Sequence, residues 1–299
     1  MSTVKQNENQ RERFYRVAGE LVNERADLAI VLAQVGLGYL SPDLKADRVV
    51  NVGIREQLLI GATAGLAMAG IRPIAHTFPP FLIERPFEQI KLDLNHQELG
   101  AVLVSAGGSY GWPEGGETHF GLRDVSLLDT LDGWTIQAPG HPDEAEALLR
   151  VAAAGTDRRY LRLDAESNSS AFAVADGRLI VVREGNQALV IAVGPTLDRV
   201  LAATEGLDVS VAYTATVRPF DTAGLRDQAR SNVVMVEPYL RGTSAHVVSD
   251  ALSDRPHRLL SLGASRTEQR RYGTLADHHR LHRLDTAGLR AAISQFLAQ

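Results

Sequence analysis

The sequence predicts an α/β protein that folds as two doubly wound domains, and three observations support this. Short apolar runs typical of strands alternate with segments whose apolar residues recur at helical spacing. The length of 299 residues exceeds what one hydrophobic core usually fills. A Ser/Asn/Ala/Gly-rich stretch at 165–178 is typical of a linker and separates two strand–helix series. We therefore expect a first domain at residues 1–170 and a smaller one at 171–299.

The first domain is predicted to contain a parallel sheet, because strands and helices alternate in it with short connections. Its third helix contains Pro86, which we expect in the first turn, where a missing amide hydrogen costs little. The predicted strands are 27–35, 48–53, 71–78, 101–108, the end of 129–139, and 158–164, and the predicted helices are 11–24, 55–69, 82–97 and 141–154.

The second domain repeats this alternation on a smaller scale, which again favours a sheet covered by helices. Its predicted strands are 187–194, 207–221, 232–239 and 258–263, and its predicted helices are 195–206, 245–254 and 285–299.

Composition excludes several classes of function. The formal net charge of -5 disfavours a nucleic-acid partner and leaves small molecules and proteins open. The absence of cysteine excludes disulfides, iron–sulfur clusters and a cysteine nucleophile. The polar N-terminal residues contain no apolar signal segment, and no apolar run approaches a membrane-spanning length without interruption. We expect a soluble, cytoplasmic protein.

Several chemically capable side chains follow the predicted strands of the first domain. Because the carboxyl ends of parallel strands meet at one edge of a sheet, these side chains are expected near one cleft. The candidates are Glu56, His76, His119 and Arg162, with Phe78, Phe81 and Phe87 lining the cleft.

Each candidate also has an ordinary structural interpretation. Glu56 could be an acidic residue that the helix macrodipole favours in a first turn. The phenylalanines could belong to the core, and His119 could be a surface turn residue. The histidines at 278, 279 and 282 suggest a metal cluster, but their basic surroundings favour a solvated face. No dinucleotide-binding, P-loop or nucleophile-elbow motif is present.

Longer motifs connect these candidates in order along nearly the whole chain. They are NVGIREQLLIGATAGLAMAG, TFPPFLIERPFEQI, GETHFGLRDVSLL, IQAPGHPDEAEALL and YLRL, followed by VIAVG, VRPFD and VVMVEPYLRGTSAHVVSDAL. Together they resemble the C-terminal half of transketolase and its thiamine-diphosphate-dependent relatives, and in particular the free-standing second subunit of split transketolases. The resemblance implies a pyrimidine-binding domain followed by a transketolase C-terminal-like domain.

The resemblance implies a role for each candidate. Glu56 would hydrogen-bond the N1′ nitrogen of the cofactor's aminopyrimidine and so promote loss of the thiazolium C2 proton. The apolar segment beside it makes sense, because desolvation favours sharing a proton with a ring nitrogen. Phe78, Phe81, Phe87 and Ile54 would contact the cofactor, while His119 would contact substrate oxygen atoms and Arg162 a substrate phosphate.

The chain departs from the family pattern at the sugar-binding positions. Ala106 stands where transketolases usually carry a histidine, and Gly115 stands where they carry an aspartate. Without these two sugar-binding side chains, an ordinary ketose phosphate is a less favoured donor. His76 stands where relatives commonly have Ser or Thr, and we hypothesise that it supplies part of the missing contact as a substrate-binding and catalytic proton shuttle.

A second departure concerns the diphosphate end of the cofactor. The G-D-G…N motif that holds Mg²⁺ in the family does not occur in this sequence. The resemblance therefore implies a partner subunit that carries the diphosphate and Mg²⁺ ligands, in an α2β2 assembly with an apolar interface.

We expect a transketolase-type transferase that moves a two-carbon ketol unit, or a related acyl unit, from a ketose or 2-oxo donor to an aldehyde-type acceptor. A β subunit of a 2-oxo acid dehydrogenase and a deoxyxylulose-phosphate-synthase-like enzyme remain open alternatives. A catalytically silent interaction subunit is a third alternative, which a retained buried carboxylate disfavours.

Overall fold

A computed structural model describes residues 8–41, 43–268 and 270–299 of the chain. Its strands are β1 (Leu28–Leu32), β2 (Val49–Asn51), β3 (Arg72–Thr77), β4 (Val102–Gly108), β5 (Trp134–Gln137), β6 (Arg158–Asp164), β7 (Ile180–Arg183), β8 (Leu189–Val193), β9 (Ser210–Thr214), β10 (Thr216–Arg218), β11 (Asn232–Leu240) and β12 (Arg258–Ala264). Its α-helices are α1 (Gln10–Glu24), α2 (Glu56–Met68), α3 (Phe87–Gln89), α4 (Asp124–Leu128), α5 (Pro142–Ala154), α6 (Leu197–Ala203), α7 (Thr222–Gln228), α8 (Ala245–Ala251), α9 (Leu275–His282) and α10 (Thr286–Leu297).

Two sheets form the framework, as the predicted fold class requires. Within the described residues, the first sheet has seven strands in the order β10-β5-β6-β4-β3-β1-β2, and the second has five in the order β12-β11-β8-β9-β7. Strands β1 to β6 are parallel in the first sheet, as are β8, β9, β11 and β12 in the second. The prediction of two doubly wound sheets is confirmed.

Both sheets carry an antiparallel edge strand that the periodicity did not predict. Strand β7 pairs with β9, just beyond the predicted linker. Strand β10 leaves the second half of the chain and pairs with β5 of the first sheet. The predicted segment 207–221 therefore divides between the two sheets, and the second half of the chain completes the edge of the first sheet.

The two sheets also share their hydrophobic core. In one cluster of buried side chains, helices α1, α5, α6 and α10 pack against strand residues of both sheets. In a second cluster, α2, α7 and α8 pack against strand residues of both sheets. Between the sheets, the buried Tyr213 hydroxyl donates to Glu144 Oε2 at 2.5 Å. These contacts fix the second sheet against the first. Among the described helices, none has the length and apolar character needed to cross a bilayer.

The segment after β3 is not the single helix predicted at 82–97. Wide π-helical turns at Pro80–Glu84 and Ile90–His96 flank the short α3. The winding starts earlier than predicted, so Pro86 lies inside the segment, where proline interrupts the backbone hydrogen-bond ladder. The consequence for the site is that Phe81 and Arg85 project from an irregular turn.

Candidate active site

Glu56 is the first residue of α2 and is 2 % exposed. Gly53 lies in the turn between β2 and α2 with a φ of 69°, a left-handed conformation that glycine adopts without strain. The helix N-terminus favours the negative charge of the carboxylate, so the structural interpretation of Glu56 and the functional one are compatible. The expected burial of Glu56 is confirmed.

Arg85 connects Glu56 to the aromatic residues of the site. Its Nη1 donates to Glu56 Oε2 at 2.8 Å, and its guanidinium carbon lies 4.1 Å from the centroid of the Phe81 ring. Glu56 Oε1 accepts no hydrogen bond from the residues that the structure describes. The carboxylate is therefore held in place by one oxygen while the other remains available as an acceptor.

Four rings form a continuous group after β3 and in the cavity loop, which we define as residues 109–121. Phe78 stacks on Trp112 with centroids 5.6 Å apart, and Phe81 meets the His119 ring edge-to-face at 4.9 Å. Trp112 and His119 are 4.4 Å apart. The predicted proximity of Phe78, Phe81 and His119 is present, and Trp112 completes the group.

A cavity of about 410 Å³ opens beside these rings. Asn9, Arg11, Phe78, Gly107, Gly111, Trp112, Asp164 and Ala165 line it. Its glycines leave room at the end of β4, because a Cβ on Gly111 would lie 2.7 Å from the Gly107 Cα. The cavity therefore has aromatic and glycine walls with a few polar groups.

Arg11 is the cationic group of this cavity. Its guanidinium carbon lies 4.7 Å from the Tyr39 ring centroid and 5.5 Å from that of Phe78, and its Nε donates to the Tyr15 hydroxyl at 3.4 Å. It forms no ion pair with any carboxylate in the described part of the chain. Its charge is thus available to an anionic group in the cavity.

The structure does not bring His76 to the cavity surface. The side chain is 0 % exposed, with Nδ1 2.8 Å from the Val104 carbonyl oxygen and Nε2 2.7 Å from the Tyr15 hydroxyl. Because a carbonyl only accepts, Nδ1 carries the proton and the tyrosine donates to Nε2. Burial lowers the pKa of His76 to about 3, so the ring is neutral. Direct substrate contact by His76 does not follow from this geometry.

Arg162 is also buried away from the cavity, at 0 % exposure. Its Nε donates to Asp124 Oδ2 at 2.9 Å, Nη1 to Asp164 Oδ2 at 3.2 Å, and Nη2 to the Gly121 carbonyl oxygen at 2.7 Å. Two carboxylates already neutralise its charge. Arg162 therefore holds the end of β6 and the cavity loop together, and the structure does not offer it to a substrate phosphate.

The remaining two predicted cofactor contacts lie at the margin of the site. Ile54 is 73 % exposed in the turn before α2. Phe87 begins α3, and its ring contacts none of the four described rings of the group. Neither side chain belongs to the cavity in the isolated chain.

Sequence reasoning missed Arg11, Arg85 and Trp112. The tryptophan had a visible signal, since it lies in the Gly-rich segment that was predicted to face the cleft. The two arginines had no such signal, because one lies in an amphipathic helix and the other in a helix-like charged segment.

The histidines of the C-terminal segment differ from the predicted solvated face. His278 and His279, on α9, are 1 % and 7 % exposed. No group of three His, Asp or Glu side chains that could hold a metal ion occurs in the part of the chain that the structure describes.

The described residues suit one end of a planar, nitrogen-containing cofactor such as the aminopyrimidine of thiamine diphosphate. Glu56 offers a buried carboxylate with a free acceptor oxygen, which suits a protonated ring nitrogen. Phe78 and Phe81 are half-buried and offer ring faces or edges for a planar group.

Comparison with known proteins is consistent with this geometry. Residues 4–168 match the family model described as the transketolase pyrimidine-binding domain. A protein described as an uncharacterized 33.6 kDa protein in the fasciation locus of Rhodococcoides fascians is 49% identical over 275 residues, which is 90% of this chain and 88% of that protein.

Two further similarities concern enzymes made of separate subunits. One subunit of the apulose-4-phosphate transketolase of Actinobacillus succinogenes is 29% identical over 250 residues, covering 78% of this chain and 80% of that subunit. A solved structure described as a split gene transketolase, inactive beta4 tetramer, superimposes with a TM-score of 0.83 at 24% identity, covering 97% of this chain and 98% of the other. The similarity to this solved structure supports the two-sheet fold described above.

Proposed function

The chain belongs to the transketolase family, and on that premise we propose that it is the C-terminal subunit of a split enzyme that depends on thiamine diphosphate. The enzyme would transfer a two-carbon ketol unit, or a related acyl unit, from a ketose or 2-oxo donor to an aldehyde-type acceptor. The relatives that support a subunit role are themselves described as a subunit of a transketolase and as a split gene transketolase.

The observation that carries the proposal is Glu56. Glu56 is 2 % exposed, Arg85 holds one of its carboxylate oxygens, and the other accepts no hydrogen bond from the described residues, so that oxygen can accept from a partner outside the chain. A ring nitrogen that shares its proton would be such a partner. Phe81 contacts the Arg85 guanidinium that binds Glu56 and would contact the plane of the bound ring. This arrangement also argues against a catalytically silent subunit.

The chemistry that thiamine diphosphate supplies when bound is a nucleophilic carbon and a sink for the electron pair of the broken bond. The chain's own residues would do the rest. Glu56 Oε1 would accept the hydrogen bond of the protonated ring nitrogen and share its proton, and Phe78 and Phe81 would orient the pyrimidine. Arg11 would bind an anionic group of the substrate in the cavity, and His119 would contact the substrate oxygen atoms.

A partner subunit would hold the diphosphate and Mg²⁺, with α2β2 as the expected assembly. The apolar face at the start and end of α2 supports an interface there, because Ile54, Leu58 and Met68 are 73%, 51% and 67% exposed. Ile54 precedes the helix, Leu58 lies in its first turn and Met68 is its last residue, and large apolar side chains left exposed along one element are typical of an interaction surface. Ile54 would then reach its cofactor from the interface.

The donor class is the open part of the proposal. The cavity is lined by aromatic rings, glycines and a few polar side chains, and Arg11 is its cation without a carboxylate partner among the described residues. A compact 2-oxo acid would place its carboxylate on Arg11, whereas a ketose phosphate would place its phosphate there and need further hydroxyl partners. The alternatives are accordingly a 2-oxo acid dehydrogenase β subunit or a deoxyxylulose-phosphate-synthase-like enzyme.

Co-expression with a subunit that carries a G-D-G…N motif tests the proposal. We expect the purified pair to bind thiamine diphosphate and Mg²⁺, measured by calorimetry, and to form a trapped donor adduct with ketose phosphates or with pyruvate-type acids. Glu56→Gln should lower kcat by about 10²- to 10⁴-fold with cofactor binding retained.

Glu88→Gln is the matched control, because Glu88 is an exposed carboxylate in the neighbouring segment. It should leave kcat unchanged. Full activity in Glu56→Gln, or a pair that is fully active without thiamine diphosphate, would overturn the proposal.

A further inference from the structure

Helix α9 of the second half of the chain packs directly against the cavity loop. The His278 ring stacks on Tyr110 with centroids 4.4 Å apart and planes 5° from parallel, and it meets Phe120 edge-to-face at 4.9 Å. His282, one turn later, stacks on the same tyrosine at 5.4 Å. Tyr110 and Phe120 are both at most 1 % exposed.

These contacts fall next to the residues that face the cavity. Tyr110 precedes Gly111 and Trp112, and Phe120 follows His119. The two ends of the loop are joined by paired backbone hydrogen bonds between Ser109 and Gly121, both 3.0 Å long. His278 therefore contacts the loop at both of its ends, and none of the side chains of His278, Tyr110 and Phe120 lines the cavity.

The neighbouring histidine contacts the segment that follows β6. His279 Nε2 lies 3.2 Å from Glu166 Oε2, and Glu166 follows Ala165, which lines the cavity. One turn of α9 thus contacts both the cavity loop and the segment after β6.

The stack cannot be explained by hydrogen bonding. Both ring nitrogens of His278 and the Tyr110 hydroxyl are buried without a hydrogen-bond partner among the described residues. Leaving three buried polar atoms unpaired lowers the stability of the folded protein. The stacking of the His278 ring on Tyr110 is the favourable interaction that offsets this cost.

We propose that α9 clamps the cavity loop and that His278 is the positioning residue through which it sets the placement of Trp112 and His119. The planar ring acts by stacking, so another planar ring can replace it. This role belongs to the second half of the chain, so the placement of the cavity loop depends on both halves.

The test uses the full chain and the fluorescence of one tryptophan at a time. The chain has two tryptophans, so Trp134→Phe leaves Trp112 as the reporter of the loop. Trp112→Phe leaves Trp134, which is 4 % exposed and reports the fold. In the first background, His278→Ala should raise acrylamide quenching of Trp112 roughly twofold, because the stacked contact is lost. His278→Phe should restore the original quenching.

Leu281→Ala is the matched control, since Leu281 is 42% exposed on the same helix, and it should change nothing. Unchanged quenching of Trp112 in His278→Ala, or failure of His278→Phe to restore it, overturns the proposal. If His278→Ala does not fold, His278→Leu replaces it under the same criteria. In the Trp112→Phe background, a change in Trp134 quenching in both His278→Ala and His278→Phe would also contradict a role confined to the loop. The readout needs no turnover, so this inference and the proposed function can fail separately.

Discussion

The imidazole Nε2 of His76 lies 2.7 Å from the hydroxyl oxygen of Tyr15, and this hydrogen bond links the middle of the first sheet to the cavity. The Tyr15 hydroxyl in turn accepts from Arg11 Nε at 3.4 Å. His76 was predicted to face the substrate. Its position in the structure instead makes it a support for Tyr15, which packs beneath the one unpaired cation described in the cavity.

Tyr15→Phe should destabilise the protein by removing the donor to His76. The unfolding free energy should fall by about 1–3 kcal/mol, because a buried ring nitrogen loses its hydrogen-bond partner. Urea denaturation at pH 7 measures it. Tyr39→Phe is the control, since Tyr39 stacks on Tyr15 but is 56 % exposed, and it should change stability little. Equal stability of Tyr15→Phe and the parent would contradict the hydrogen-bond assignment.

Glu84→Gln should stabilise the protein in a pH-dependent manner. Burial raises the pKa of Glu84 from 4.5 to about 7, with Asp124 and Glu117 adding to the effect and Arg123 opposing it. Between pH 4.5 and 7 the folded state keeps a proton that the unfolded chain loses, so the parent loses stability as pH rises through this window.

Glu84→Gln has no group that titrates at this position, so this contribution to its stability does not fall as the pH rises from 4.5 to 7. At pH 8 it should be more stable than the parent by about 1 kcal/mol, a value reduced because Glu84 is only partly buried. At pH 4.5 the two should be nearly equal. Thermal unfolding at both pH values measures the difference, and Glu88→Gln, an exposed neighbour, should show none. A stability gain at pH 4.5 as large as that at pH 8 would contradict the titration of Glu84.

Gly115→Ala should displace His119. A Cβ on Gly115 would lie 2.7 Å from the His119 Cγ, which is closer than real contacts allow. Since His119 lies 4.4 Å from Trp112, the emission of Trp112 should change, and turnover of the assembled enzyme should fall by about 10- to 100-fold.

Gly19→Ala provides the matched methyl group, because a Cβ there meets nothing within 4 Å. It should leave turnover unchanged and stabilise α1 by about 0.5–1 kcal/mol. If Gly115→Ala left both Trp112 emission and turnover as in the parent, His119 would not be a functional contact of the cavity. The same clash explains why Gly115→Asp alone is not expected to create an ordinary ketose-binding site.

Sequence periodicity predicted the parallel strands and most helices because those elements bury regular faces. Where regularity fails, the prediction was wrong. Pro86 separates the turn Pro80–Glu84 from the winding at 87–96 within the predicted helix 82–97. Strand β10 joins the first sheet although its residues belong to the second half of the chain. Strand β7, at a sheet edge, is half-buried throughout and has weak alternation.

The candidate site divides in the same way. Glu56, Phe78, Phe81 and His119 could be predicted because each follows a strand within a recognisable motif, and a strand's end is fixed by its own sequence. His76 and Arg162 lie on strands, where the side-chain direction and the surrounding partners depend on which helices cover each face.

The sequence by itself determined the α/β class, the membership of the transketolase family and the burial of Glu56, since these depend on local pattern and on motifs in order. Only the tertiary structure decided that Arg11 faces the cavity, that Arg162 is neutralised by two carboxylates, and that α9 packs against the cavity loop. The physical reason is that the charge balance and packing of a buried side chain are set by groups distant in the chain, which no local pattern specifies.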